Sequence, residues 1–509
     1  MDNRKFSNYV YSVIDLAGIN DEIKRKRIET ARQSELLFSE CLKHTHNSFD
    51  CIYTGSTSEG TVPHSFSDND VMIVLTDTIC VDKEKLNPDP NCPFEVLAAE
   101  YENMLPGYVR ITEGHTNRQC NESSTASMFL PRSYWHGSSL ETAPYISNKF
   151  LKHTKGMFDN FASPASQCEG GLYTMEGYKQ GINGPAITHK SQCRISSGSS
   201  STLLFELEHD TVHAIPFYNA STLPKWSSRA RNYDWPSKDL IHEISDMEGF
   251  ILPIGEKQSE TEHIEWRISY VTAERTLVQN LNSTQHKLYV LLKLFSKQVF
   301  AQVSKSFSSY MVKNVVLWMA EINSSHLCTP SFLIDCLIQS LNFIKCCLIC
   351  NHLPSYIMPK KNLIAGRIYG HEKHELIAFL SSLIDEGAYV IYRLPKLAAC
   401  LNYAAIHPEP FANFGIWRHC VETQLLLLKS RCSAGRDPKF CLKHLFKVTP
   451  VHLGHKMSRQ DRQLPNLVTM IIRLTAADYL ERFPNATLAE IINATFKRIK
   501  CVNECCFLC

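Results

Sequence analysis

The stretch TGSTSEGTVPHSFSDNDVMIVL (54–75) decides how this chain reads. It starts where a short apolar run, FDCIYT (49–54), ends. It then breaks into a Gly-Ser-Thr-Ser turn and closes on SDNDVMIVL (67–75), short and rich in β-branched residues, which predicts a buried strand. In the turn, Gly55 and Ser56 expose backbone N–H groups and a hydroxyl without side-chain bulk, which suits a phosphate oxygen. Taken alone, the same pair is an ordinary turn. Asp68 and Asp70 stand two residues apart in a strand, so both carboxylates project to one face. Like charges held close are unfavourable unless cations neutralise them, and oxygen-only ligands suit a hard ion such as Mg²⁺. A pair of ions about 3.5–4 Å apart can activate an attacking hydroxyl and hold a triphosphate in line. The plainer reading of SDND is a solvated turn or a helix N-cap.

Working outward, residues 5–50 read as helical, through the charged stretch IKRKRIETARQSELLFSECLKH (23–44). Residues 77–135 read as loop-rich, and the Gly/Ser-heavy segment 183–201 as a mobile or surface piece. LLFELEHDTVHAIPF (203–217) predicts a long strand with Glu206, Glu208 and Asp210 on one face. Those acids are either the missing third ligand of a metal cage or an exposed strand face. WRISYVTAERTLVQNL (266–281) begins extended and turns helical, and from about 282 to 430 helix follows helix. The switch near 280 is the clearest internal boundary. It divides the chain into 1–280, a helical 281–417, and a basic, Cys-rich extension at 418–509.

Composition bounds the answer without naming it. The 509 residues predict two to three domains of about 150 residues each. A formal charge of +2 announces no nucleic-acid or membrane partner, and 44% apolar with 20% charged residues excludes a chain disordered throughout. Twenty cysteines in this length fall far below a disulfide-stapled scaffold. The polar N-terminus carries no secretory h-region, and the longest apolar stretch (331–350) contains Asp335, Asn342 and Lys345, too polar to span lipid. The expectation is a soluble, cytoplasmic, reduced protein with free thiols.

A strand with a GS turn, then D-x-D on a strand, then an acid on a later strand is the layout of the nucleotidyltransferase superfamily. GSTSEG and DNDVM, with HDTVHAIPF (209–217), EWRISYVTAERTLV (265–278), SYMVKNVVLW (309–318) and LPSYIMPKKNLI (353–364), resemble the family of the male-abnormal-21 proteins and cyclic GMP-AMP synthase. Within it, the chain is similar to invertebrate cyclic GMP-AMP synthase-like receptors. LPKWSSRARNYDWPS (223–237) and GFILPIG (249–255) fit the same branch, and the resemblance runs from about 50 to 365. It implies an α+β, bilobal nucleotidyltransferase fold, with a mixed β-sheet N-terminal lobe on a long supporting helix and an all-helical C-terminal lobe. It also implies Asp68, Asp70 and Asp210 as catalytic ligands of two Mg²⁺ or Mn²⁺ ions, with Glu208 as a fallback. Gly55 and Ser56 become the phosphate turn, Ser309 a triphosphate contact, and Tyr310 the ring that stacks on a base. Lys293 and Lys313 match basic positions near the phosphates, and Arg267 an arginine facing the base.

The implied activity joins two nucleoside triphosphates into a cyclic dinucleotide messenger of antiviral innate immunity, once an activator orders the site. The other readings are a catalytically silent developmental or scaffold protein of male-abnormal-21 type, and a template-independent polymerase using the same acids. No cysteine lies between Trp266 and Lys293, where the vertebrate DNA sensor carries its zinc insertion, so no zinc is expected there. Double-stranded RNA becomes the expected activator, with dimerisation on it by analogy and Lys24, Arg25, Lys26 and Arg27 as its candidate contacts. The bland alternative for those four is a solvated helix face. CCLICNH (346–352) reads as buried free thiols rather than a zinc site. Cys441, His444, His452 and His455 have ligand-like spacings that match no strong zinc pattern. The end CVNECCFLC fits C-a-a-X loosely at Cys506, with Cys505 beside it as a second acylation candidate for a lipid anchor.

Overall fold

A computed structural model describes residues 3–45, 49–61, 69–86, 94–115, 135–136, 145–148, 173–183, 186–196, 202–219 and 221–433. Asp68 and the extension beyond Ser433, with Cys441, His444, His452, His455, Cys505 and Cys506, lie outside the described residues.

Twelve strands occur among the described residues: β1 (Phe49–Thr54), β2 (Asn69–Leu75), β3 (Thr78–Asp82), β4 (Glu95–Glu100), β5 (Tyr108–His115), β6 (Trp135–His136), β7 (Tyr145–Ile146), β8 (Tyr173–Asn183), β9 (Ala186–Ser196), β10 (Thr202–Tyr218), β11 (Gly249–Leu252) and β12 (Glu265–Ser269). All but β6 and β7, which pair with each other, belong to one mixed sheet. The long β10 organises it. Its first part lies antiparallel to β9 and its middle parallel to β2, while its end pairs with β11 on one side and β3 on the other. Because β3 returns to β10, the strands β10, β11, β12, β5, β4 and β3 close a six-stranded barrel. Closure leaves few open edges there. In β2, Val71, Ile73 and Leu75 enter the main core, while Met72 and Val74 join Ala214, Phe250 and Leu252 in a second, smaller one. Both faces of β2 are therefore covered, which accounts for the unbroken apolar run.

The helices are α1 (Asn3–Leu16), α2 (Asp21–Thr45), α3 (Gly55–Ser58), α4 (Thr222–Ser227), α5 (Lys238–Ser245), α6 (Val271–Gln279), α7 (Ser283–Leu294), α8 (Ser309–Ile322), α9 (Leu333–Ile349), α10 (Gly370–Asp385), α11 (Pro395–Ile406) and α12 (Pro408–Ser433). A capping box at Asn282–Gln285 starts α7, which is buried nearly all round and forms the axis of the helical half. Pro330–Ile349, containing α9, is long and apolar enough to cross a membrane by composition, but half of that window is buried within the protein.

Four sequence expectations change. The single N-terminal helix is two: the chain breaks at 17–20, and the Asn20 side chain accepts the Ile23 N–H to restart it as α2. The first piece packs on the helical half, where Ser7 donates to the Pro330 carbonyl and Tyr9 to the Leu401 carbonyl. The loop-rich 77–135 contains β3, β4 and β5, whose short alternation is hidden among turn residues. The mobile or surface segment 183–201 holds β9, hairpinned to β8 and paired with β10. The boundary set at 417/418 falls inside α12, whose Arg418 and Glu422 are buried.

Candidate active site

Register places the first two groups. The parallel ladder between β2 and β10 sets Asp210 directly opposite Asp70. Opposed residues on neighbouring strands, about 4.8 Å apart, share a face, so the two carboxylates emerge side by side. Asp210 Oδ1 is buried and has no hydrogen-bond partner among the described residues. A buried anionic oxygen without a donor is costly and calls for a cation. The ladder begins at His209 opposite Asn69, so Glu206 and Glu208 lie beyond the end of β2. Among the described residues, no three His, Cys, Asp or Glu side chains are grouped to hold a metal. Asp70 and Asp210 together are an all-oxygen pair that fits a hard ion.

Gly55 closes against this pair. Its φ is +66°, a left-handed conformation that favours glycine, and a Cβ there would lie 1.8 Å from Asp70 Oδ2. The glycine thus lets the phosphate turn and the acid occupy adjoining space. Gly55→Ala is expected to cost about 1–3 kcal/mol of stability through backbone strain. It should also dislodge the Asp70 carboxylate; thermal unfolding reads the stability loss.

On the other side of the turn, Lys293 from α7 donates to Ser56 Oγ and, at 3.2 Å, to Thr61 Oγ1. Burial pulls its pKa down to about 8; Lys297 and Lys313 reinforce that, while Glu59 and Asp70 oppose it. An ammonium poised between two hydroxyls beside an acid pair is placed to meet a phosphate. Because its charge fades as pH passes through about 8, any affinity of this turn for a phosphate probe such as pyrophosphate should weaken several-fold between pH 7 and 9.5. Lys293→Arg, which stays charged, should flatten that profile in a titration of pyrophosphate binding.

A second layer joins the halves. Lys313 on α8 lies 2.7 Å from Glu59 and 3.3 Å from Glu274 of α6. Glu274 also accepts from the Tyr310 hydroxyl at 2.8 Å, and Glu59 from the buried Tyr289 hydroxyl at 3.1 Å. Burial alone would lower the Lys313 pKa, but the two carboxylates outweigh it and hold it well above the ordinary value. Lys313 is thus committed to this cluster, and the phosphate role read from the sequence falls more naturally to Lys293. Tyr310 is partly exposed as a residue. Ser309 is the exposed first residue of α8. Arg267 sits on β12 opposite Tyr108 of β5. Sequence reasoning passed over Glu59, Glu274 and Tyr289. Glu59 lies inside the quoted turn itself, and nothing in its spacing announces a partner 254 residues away.

The activator run does not form one face. Lys24 is buried, donating to the Gln279 and Leu281 carbonyls at 2.9 Å each. Arg27 is buried in an ion pair with Glu422 at 2.6 Å. Lys26 bonds Glu22 and Thr423 and is half-buried, so of the four only Arg25 is exposed. These cations fasten α2 to α12 and to the α6–α7 junction, which corrects the expectation of a contiguous basic contact surface. In the 346–352 segment, Cys346 and Cys350 are exposed and only Cys347 is buried, and His352 bonds the Pro359 carbonyl.

Residues 284–380 match the family model of the Mab-21 protein HhH/H2TH-like domain. The match covers α7 to α10, the half that supplies Lys293, Tyr310 and Lys313. No curated protein matches the chain.

Proposed function

With a Mab-21-type helical domain as the premise, we propose that this chain is a metal-dependent nucleotidyltransferase of bilobal fold that joins two nucleoside triphosphates into a cyclic dinucleotide. The observation that carries the reading is the Asp70–Asp210 pair, with its buried, unpartnered oxygen, beside the Gly55–Ser56 turn and Lys293. Asp70 and Asp210, with Asp68 outside the described residues, are the groups that would hold Mg²⁺ or Mn²⁺. When bound, such ions lower the pKa of an attacking ribose hydroxyl and neutralise a leaving pyrophosphate. Lys293 and Ser56 bind phosphate oxygens, with Ser309 a further contact at the start of α8. The Tyr310 ring stacks on a base, worth about 1–3 kcal/mol, and its bond to Glu274 fixes the ring. Activation by double-stranded RNA, in the cytoplasm and in antiviral defence, belongs to the same proposal.

The test is to incubate the full-length protein with the four ribonucleotides and Mg²⁺ or Mn²⁺, with and without long double-stranded RNA or DNA, and to resolve the products by chromatography. A phosphatase-resistant species containing two nucleotides is expected. If no condition yields a nucleotide product, catalysis is excluded. The helical-domain match would then favour a silent scaffold of the Mab-21 type.

A further inference from the structure

Two buried cysteines take no part in the site described above. Cys328 belongs to the segment between α8 and α9, and Cys336 to the first turn of α9; both are reduced. Cys336 Sγ lies 3.3 Å from the Leu327 carbonyl oxygen, the peptide unit that continues into Cys328. The two thiols are within hydrogen-bonding reach of each other, and both residues line one small cavity between α7, α8 and α9. A disulfide brings its sulfurs to about 2.05 Å. Here they start close, on a loop and a helix end, where the backbone can adjust more readily than in the middle of two packed helices.

The pair is chemically uneven. Gln285, whose side-chain oxygen closes the α7 capping box, donates from Nε2 to Cys328 Sγ at 3.5 Å, and Asn282 donates to the Cys328 carbonyl at 3.3 Å. The hydrogen bond from Cys336 outweighs burial and, with Gln285, holds the Cys328 thiol below its ordinary value. The same contact, with burial, pushes Cys336 up. Burial pushes Cys51 and Cys347 up to about 12. A stabilised thiolate beside a protonated thiol is the pairing of an attacking and a resolving cysteine. Cys328 is 7% exposed and its neighbour Leu327 is 39% exposed, so a solute the size of hydrogen peroxide has a short path inward.

We propose that Cys328 and Cys336 are a redox modification site, closed to a reversible disulfide by a peroxide. The Cys328 thiolate attacks one peroxide oxygen: an S–O bond forms, the O–O bond breaks, and the departing hydroxide takes up a proton to become water. The Cys336 sulfur then attacks Cys328, forming the S–S bond, breaking S–O and releasing a second water with the Cys336 proton. In sum two thiols are oxidised to one disulfide and one hydrogen peroxide is reduced to two waters. The bridge encloses residues 329–335, where Ser7 of α1 donates to the Pro330 carbonyl at 2.8 Å and accepts from Ile334 N at 3.2 Å. Oxidation therefore fastens the seat of α1. The inference does not depend on the nucleotidyltransferase reading.

The test exposes the full-length protein to hydrogen peroxide at neutral pH, unfolds it in urea with iodoacetamide, and maps tryptic peptides by mass spectrometry. Residues 314–345 form one tryptic peptide that carries these two cysteines and no others. After peroxide that peptide should be lighter than its reduced form by two hydrogens and carry no alkyl group, and dithiothreitol should restore both labels. Oxidation there should run roughly tenfold faster than at Cys51 or Cys347. Cys336→Ser should halt at a Cys328 sulfenic acid that dimedone captures, and Cys328→Ser should leave Cys336 fully alkylated. Full alkylation of both cysteines in the peroxide-treated wild type, or a bridge from either to a different cysteine, overturns the proposal. Where a serine variant does not fold, the wild-type peptide decides alone.

Discussion

Asp70→Asn and Asp210→Asn are each expected to lower the proposed cyclic dinucleotide formation by about 10³-fold, the equivalent of roughly 4 kcal/mol of transition-state stabilisation. The substitutions keep the size of the side chain, so packing against Gly55 survives. In the absence of metal they also remove one of two like charges on neighbouring strands, so the unfolding temperature should hold steady or rise. Metal supplies a readout independent of turnover. Added Mn²⁺ should raise the unfolding temperature of the wild type by mass action on the folded state, and Asp210→Asn should abolish that rise. A variant that keeps full turnover would remove its carboxylate from the metal site. One that loses several degrees along with turnover would show that the pair serves the fold.

The second large effect concerns stability. Lys313→Met should cost about 3–5 kcal/mol, because it leaves two buried carboxylates, Glu59 and Glu274, facing each other without their cation. The damage should centre on the seam between sheet and helices, since Glu59 follows the phosphate turn while Glu274 and Lys313 sit on α6 and α8. Urea denaturation measures the loss, and combining Lys313→Met with Glu59→Gln and Glu274→Gln should recover much of it, because the charges left unpaired are then neutralised. The pH dependence has a definite sign. The folded pKa of Lys313 is raised above 10.5, so its contribution is fully present below that value and is lost only as pH climbs through the folded pKa. A loss under about 1 kcal/mol would place the cluster among weakly coupled, solvated ion pairs.

Part of this was legible in the residues alone. The period-2 placement of Glu206, Glu208 and Asp210 on one strand, the buried run of β2, and the helices after 282 follow from local side-chain spacing, which the backbone geometry of strand and helix translates directly. Local spacing failed where turn residues masked short strands, as in β3 to β5, or where a polar strand looked like a mobile surface piece, as in β9. It also misjudged the four basic residues of α2. Lys24 and Arg27 look like a solvated run, yet helix α12, almost 400 residues further on, covers Arg27 with Glu422.

What the chain determined by itself was the chemistry on offer: oxygen ligands, a glycine turn, basic side chains and an aromatic ring, each on an element of readable type. The tertiary structure decided which of them meet. Only the register of β10 against β2 sets Asp210, rather than Glu208, opposite Asp70. Only the seating of α8 on α6 commits Lys313 to two glutamates. The reason is physical. A strand's period fixes the direction in which a side chain leaves the backbone, but its partner is chosen by how distant elements pack, and no local spacing records that choice.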